Sequence, residues 1–341
     1  MKFALLALLL TSPLLSAQNL VVVQPMAPSG GVLRSSQLWI DPSGQNDLDS
    51  DAIAWEDFQF TQDTTITHVR WWGEVGPSLG FRIRFYNQDP NTVAVQPDMF
   101  APGSGPISSE THTTVAQTPA GGNLYQFDVT LNTPVTFAAN TRYFVSVVGR
   151  TPIAWATWGW AQSYSGSNGT FWWMRGLHMY YHLGDNRAVA LGFDEGPVGS
   201  AYCTPAVANS TGQPGTLSAY GSPFAANNSL TLTATHLPQN QFGYFLNSTS
   251  QGLVANPGGS LGNLCLGGTS PIGRHNAPNE IQNTGSTNTF TLTLDLTNLP
   301  SPTGPVAALA GQTWHFQAWY RDFVGGQSVS NFTGAIAAPL Q

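Results

Sequence analysis

Along most of the chain, apolar and polar residues alternate in short runs. Phe81, Ile83 and Phe85 alternate with Arg82, Arg84 and Tyr86. Tyr125, Phe127, Val129 and Leu131 alternate with Leu124, Gln126, Asp128 and Thr130, and Tyr143, Val145 and Val147 form a third such face. Further on, Phe290, Leu292, Leu294 and Leu296 alternate with threonines and Asp295, while Trp314, Phe316, Ala318 and Tyr320 oppose His315, Gln317, Trp319 and Arg321. A period of two puts successive side chains on opposite faces of a strand, and Gly, Pro, Asn and Asp clusters punctuate the runs. No helical period of useful length interrupts them. The pattern predicts an all-β chain, with an N-terminal jelly-roll-like β-sandwich followed by a smaller immunoglobulin-like β-sandwich.

The texture changes near Gly196. Fifteen of the eighteen acids and nine of the eleven tryptophans precede that point, and the later part is rich in Thr, Asn, Ser, Leu and Gly. Asp194 to Ser200 reads as a linker or strand end. The expected organisation is a signal peptide over 1–17, a Trp-rich sandwich over 18–196 and a second sandwich over 197–341. The signal rests on Lys2, the apolar run Phe3 to Leu10, and the small-residue site Leu15-Ser16-Ala17 before Gln18. That run is too short to span a bilayer, which takes about 20 apolar residues, and no later segment qualifies. The expected location is therefore outside the cell or at its surface, with no membrane span.

Charge and cysteine sharpen this picture. Lys2 is the only lysine, so the mature chain sets ten arginines against eighteen acids and has no basic cluster of the kind that neutralises phosphate. No nucleic-acid partner is expected. Aromatic content is too high for disorder. In an exported chain the two cysteines, Cys203 and Cys265, are expected to form a disulfide; no further metal ligand stands beside either. A closed loop of about 60 residues adds roughly 4 kcal/mol on chain-entropy grounds.

Several stretches resemble a known but uncharacterised family. Ala54-Trp55-Glu56-Asp57-Phe58, Ile66 through Val69-Arg70-Trp71-Trp72-Gly73, Arg142 to Val147 and Trp158-Gly159-Trp160 are similar to a jelly-roll-like module of secreted proteins in planctomycete-type bacteria. Tyr202-Cys203-Thr204-Pro205, Gln241 to Phe245, Gly262 to Gly268 and Phe316 to Asp322 are similar to a second module of the same bacteria. The resemblance covers nearly all of the mature chain. It implies the fold and export, and carries no activity.

The tryptophans divide by strand parity. Trp71 falls with Val69 and Trp72 with Arg70; Trp158 and Trp160 share a face that Trp155 opposes. Trp71, Trp155 and Trp158 are expected in the core, whereas Trp72 and Trp173 stand between core and surface. If the segments holding Trp72 and Arg82 pair, then Arg70, Trp72, Arg82, Arg84 and Tyr86 share one outward face. Flat rings beside planar donors suit a sugar, with its C–H face and rim of hydroxyls. The alternative is that these indoles are core and the arginines a solvated sheet face.

The acids offer calcium ligands and catalysts. Asp47, Asp49 and Asp51 alternate, a pattern that can ligate a structural calcium, although the EF-hand template fails at Ala52 and Phe58. A solvated acidic turn is the simpler reading. Gly258-Gly259-Ser260-Leu261-Gly262 matches G-x-S-x-G but lacks the strand–helix setting of a nucleophile elbow. His178 and His182, four apart on an expected strand, stand too far apart to share a metal. Glu56, Asp57, Glu74 and Glu110 are available as a hydrolytic pair, with none singled out. The sequence reading is therefore a non-catalytic exported protein that binds glycan or matrix through the N-terminal sandwich. A secreted polysaccharide hydrolase and a purely structural cell-surface component are the alternatives.

Overall fold

The computed structural model describes residues 17–43, 51–92, 95–99, 102–166, 171–176 and 178–341. It is all-β, with 54% of the described residues in strands and 3% in helix, and its sheets are curled and antiparallel in the main. The N-terminal signal expected over 1–17 falls, apart from Ala17, outside the described residues. Among the described residues no helix is long and apolar enough to cross a membrane.

Numbering strands of three residues or more, the N-terminal half contains β1 (Ala17–Gln24), β2 (Gln37–Trp39), β3 (Ala52–Gln59), β4 (Thr64–Glu74), β5 (Phe81–Asn87), β6 (Ser108–His112), β7 (Ala116–Gly121), β8 (Leu124–Phe137), β9 (Arg142–Thr151), β10 (Phe171–Arg175), β11 (His178–Leu183) and β12 (Val189–Pro197). These form two sheets. In the first, the order is β1-β12-β4-β8-β7. In the second, β11-β10-β3-β9-β5-β6 run side by side, with β2 inserted between β3 and β9 and parallel to β9.

The alternating apolar positions meet between the sheets. Val69 and Trp71 of β4, Phe127, Val129 and Leu131 of β8, Phe81, Ile83 and Phe85 of β5, and Val145 and Val147 of β9 all belong to one buried cluster. Its rings interlock: Trp71 lies edge-on to Phe81 at 5.0 Å and stacks on Phe127 at 5.4 Å. Trp158 is drawn in as well, because Gly73 leaves room for its ring. A Cβ on Gly73 would lie 2.5 Å from both the Trp158 ring and the Gly159 carbonyl.

The second sheet is apolar on its other face too. Ile53 and Trp55 of β3, Tyr86 of β5, Phe144 and Val148 of β9, and Trp172 of β10 form a further buried cluster, against which Val95 and Met99 pack. A sheet that is apolar on both sides must be covered on both, and here a connecting segment supplies the outer cover.

The C-terminal half contains β13 (Ser200–Tyr202), β14 (Thr216–Gly221), β15 (Leu230–Thr235), β16 (Phe242–Ser248), β17 (Gln251–Val254), β18 (Leu264–Leu266), β19 (Phe290–Leu294), β20 (Thr313–Val324) and β21 (Gln327–Pro339). β14-β15-β19 faces β13-β21-β20-β16 across a core containing Leu230, Leu232, Phe245, Phe316 and Tyr320. Asp194 to Pro197, at the expected boundary, is the end of β12. There β12 pairs with β14 through Gly196–Gly221 and Pro197–Tyr220, so the first sheet continues into β14-β15-β19 as one hydrogen-bonded sheet. Cys203 and Cys265 form the expected disulfide, linking the residue after β13 to β18.

Candidate functional site

The five-residue face expected from Arg70, Trp72, Arg82, Arg84 and Tyr86 does not form. β4 pairs with β12 and β8, whereas β5 pairs with β9 and β6, so the two segments lie in opposite sheets. Each strand has an apolar side to bury, and the sandwich covers both by turning those sides toward one another. The connection 75–80 is long enough to cross the roughly 10 Å between packed sheets. Arg70 and Trp72 therefore point outward from the first sheet, and Arg82, Arg84 and Tyr86 from the second.

The Arg70 side is internally satisfied. Its Nε donates to Asp128 Oδ1 at 2.6 Å and its Nη2 to Gln18 Oε1 at 2.9 Å. His68 Nε2 lies 3.0 Å from the same Asp128 oxygen, and Gln126 Nε2 donates to the other at 2.7 Å. Partial burial opposes ionisation of Asp128, but the hydrogen bonds from His68, Gln126 and Arg70 outweigh it and hold the carboxyl down to about 2. Trp72 is half-buried beside this network.

On the other face Tyr86 is withdrawn from solvent, 3% exposed and edge-on to Trp55. It is part of the outer apolar layer, not a ligand contact, because Val95 and Met99 cover that layer and Trp172 Nε1 donates to the Val95 carbonyl. Arg82 and Arg84 are half-buried at the edge of this layer, and β9 adds a third arginine. Ser146 pairs with Arg84 and Val148 with Arg82, so Arg150 continues the same outward row. Arg84 Nε donates to Ser109 Oγ at 3.4 Å and Arg150 Nη1 to the Leu79 carbonyl at 3.1 Å. Among the described residues none of the three is in an ion pair. Burial, and then the like charges of Arg84 and Arg150, lower the pKa of Arg82.

β9 runs from Arg150 and Thr151 into the loop 152–157, where the expectation for Trp155 fails. Trp155 is 62% exposed, whereas the other ten tryptophans are buried or half-buried. Parity did not apply, because Pro152 stops the strand and Trp155 adopts a left-handed conformation with φ +65°. The loop is tied at its base: Trp39 Nε1 donates to the Pro152 carbonyl at 3.3 Å, Ile153 N to Thr151 Oγ1 at 3.2 Å, and Ala156 N to the Ile153 carbonyl at 3.3 Å. Ile153, 65% exposed, stands two residues before the indole. Trp158 returns to the core as expected, its Nε1 donating to the Glu74 carbonyl at 3.0 Å. Trp173 is half-buried with Nε1 on the Ser35 carbonyl at 2.8 Å.

The candidate acids among the described residues are engaged in the fold. Glu56 is fully buried and accepts from the Arg187 amide at 2.7 Å. Burial pushes its carboxyl well above the usual range, against the opposing pull of that amide. The Arg187 guanidinium is likewise buried, 2.8 Å from Asp185 and 4.4 Å over the Phe171 ring. Asp57 is buried 3.4 Å from Arg142. Glu74 accepts from Gly159 N, and Glu110 from the amides of Asn132 and Thr133. Ser260 is buried in a turn and donates to the Ser330 carbonyl at 2.9 Å, so the G-x-S-x-G match is not a nucleophile elbow. Asp47 and Asp49 lie outside the described residues, while Asp51 is 2% exposed and accepts from Trp39 N at 2.8 Å. His178 and His182 fall on β11, a strand as expected.

Sequence reasoning missed Arg150 and Trp155. The first was readable, because Val145 and Val147 facing inward leaves Ser146, Val148 and Arg150 facing out. The second was signalled by Pro152, which removes the residues after it from any strand register. No protein-family model matches the chain, and no curated protein matches it.

Proposed function

We propose that the chain is an exported, non-catalytic protein that binds glycan through its N-terminal, jelly-roll-like sandwich, with the immunoglobulin-like second sandwich as spacer or interaction module. The observation that carries this reading is Trp155: a solvent-facing indole on a loop whose backbone is held in place. A left-handed backbone costs a non-glycine residue about 1–2 kcal/mol, and exposing an indole forfeits burial that the other tryptophans obtain. Strain of this kind concentrates where it serves binding. A flat ring offered to solvent from a fixed loop suits stacking on the C–H face of a pyranose, and the fixed loop lowers the ordering cost of binding. The disulfide between Cys203 and Cys265 fits an oxidising, extracytoplasmic location.

Affinity electrophoresis of wild type, Trp155→Ala and Trp72→Ala through gels containing a panel of polysaccharides tests the reading. Retardation of wild type and Trp72→Ala, lost in Trp155→Ala, is expected. Equal migration of Trp155→Ala and wild type in every gel removes it.

A further inference from the structure

The arginine row beside the Trp155 loop carries the reading one step further. Outside the signal region the chain has ten arginines and no lysine. Three of those ten, Arg82, Arg84 and Arg150, collect on one sheet face, and no carboxylate is ion-paired with any of them among the described residues. Arg82 and Arg84 stand about 7 Å apart along β5, and neighbouring strands lie about 5 Å apart, so the row is a compact patch of one sign. Like charges at this spacing disfavour the folded state unless something of opposite sign neutralises them. The chain is acidic overall, at −7, with eighteen acids against eleven lysine and arginine residues, so the absence of an acidic partner here among the described residues is not a shortage of acids.

The patch adjoins the loop. Arg150 donates its backbone N–H to the Gly80 carbonyl and accepts from Leu79 N, which locks β9 to the start of β5 beside Arg82. Trp155 follows Arg150 by five residues, which places the two Cα atoms within about 18 Å even for fully extended chain. A polymer several sugars long spans that distance, with one ring on the indole and its substituents over the guanidinium groups.

We propose that the ligand is an anionic polysaccharide, whose carboxylate or sulfate groups are bound by Arg82, Arg84 and Arg150 while a sugar ring stacks on Trp155. Guanidinium matches both anions with paired N–H donors. Nucleic acid is the less suitable polyanion: three arginines neutralise few phosphates, and the remainder of a net acidic surface repels the rest of a duplex. The inference rests on the Trp155 reading and is separable from it by experiment.

The purified protein is run against dextran sulfate, alginate, uncharged dextran and double-stranded DNA at several salt concentrations. The expected result is retention on dextran sulfate and alginate, about tenfold or more tighter than on dextran, with log affinity falling against log salt at a slope of about −2 for three contacts. Arg82→Gln/Arg84→Gln abolishes the preference for charged polymer, whereas the charge-matched control Arg274→Gln/Arg321→Gln, taken from the exposed arginines of the C-terminal half, leaves it intact. Arg82→Lys/Arg84→Lys keeps the charge and retains most of the binding, so a misfolded glutamine variant does not obscure the outcome. Equal affinity for dextran and dextran sulfate overturns the anionic assignment, and so does equal loss in the control pair. Tighter binding to DNA than to alginate at the same salt overturns the polysaccharide assignment. If Trp155→Ala binds every polymer as wild type does, the underlying stacking site is wrong; if it weakens all of them alike while the arginine variants change nothing, only the present inference fails.

Discussion

On the outer face of the first sheet, Arg70 stands across the strand pair from Asp128 and its charge is met at 2.6 Å. On the outer face of the second, Arg82 stands across from Val148, is partly desolvated, and has the like charges of Arg84 and Arg150 set against it. Both faces put arginine near a tryptophan, yet one is a closed network and the other an open one. The difference lies in the partner across the strand, not in the residue type. An arginine that already has its carboxylate, its glutamine and a shared histidine contributes to the fold. An arginine left among like charges at a loop with an exposed indole is available to something else.

The largest test concerns what lies beneath the open row. Tyr86→Ala is expected to cost about 3–5 kcal/mol in denaturant unfolding, because the ring fills the buried layer with Trp55, Phe144 and Trp172 under Val95 and Met99. A cost below about 1 kcal/mol, the range of exposed residues, shows that the layer is not closed and that Tyr86 is free to meet ligand after all.

Next in size is the network on the closed face. Asp128→Ala leaves Arg70, His68 and Gln126 without their shared acceptor and is expected to cost about 2 kcal/mol. The pH dependence has a definite sign. The folded carboxyl is held at about 2 against an ordinary 3.8, so its contribution is fully present above the unfolded value and is lost as pH falls through about 2. The stability gap between wild type and Asp128→Asn should therefore hold steady from neutral pH to about 5 and close between about 4 and 2. A gap unchanged at about pH 2 removes Asp128 as the centre of the network.

Glu56 gives the opposite sign in the same sandwich. Burial raises its carboxyl, so keeping it ionised disfavours the fold progressively as pH rises above its unfolded value. Glu56→Gln retains an acceptor for the Arg187 amide and removes that charge. Relative to wild type, its melting temperature should be higher at about pH 8 than at about pH 4. A difference that runs the other way shows that the Arg187 charge, not burial, governs this carboxyl.

The all-β class was legible because alternation reports which side of a strand is buried. Phe81, Ile83 and Phe85, and likewise Phe127, Val129 and Leu131, went where their parity put them. Parity does not report which strand lies alongside, since any strand with an apolar side satisfies the same condition. That is why Arg70 and Arg82 were placed together and are in fact on opposite faces. The outer layer around Tyr86 was hidden for a related reason. Its cover comes from Val95 and Met99, outside the regular strands, where no periodicity marks a packing role. The site was half legible: Arg82 and Arg84 were in view from the alternation, whereas Trp155 required giving Pro152 precedence over the tryptophan spacing.

The smallest expected effect puts the comparison to its sharpest test, because the same chemical change is made on both faces. Arg70→Gln removes the charge paired with Asp128 and should lower stability by about 1 kcal/mol, the scale of a partly exposed ion pair with a second hydrogen bond. Arg84→Gln removes a charge that repels Arg82, while glutamine can still reach toward Ser109. Its stability should be unchanged or rise by a few tenths of a kcal/mol. Salt separates this from a packing effect: at about 1 M the screening length shrinks to roughly 3 Å, so any gain should disappear, whereas lost packing would persist. Should both substitutions lower stability equally at low salt, Arg84 has a stabilising partner on its own face. The two faces would then be alike, and the basis for treating the second as a binding surface would be gone.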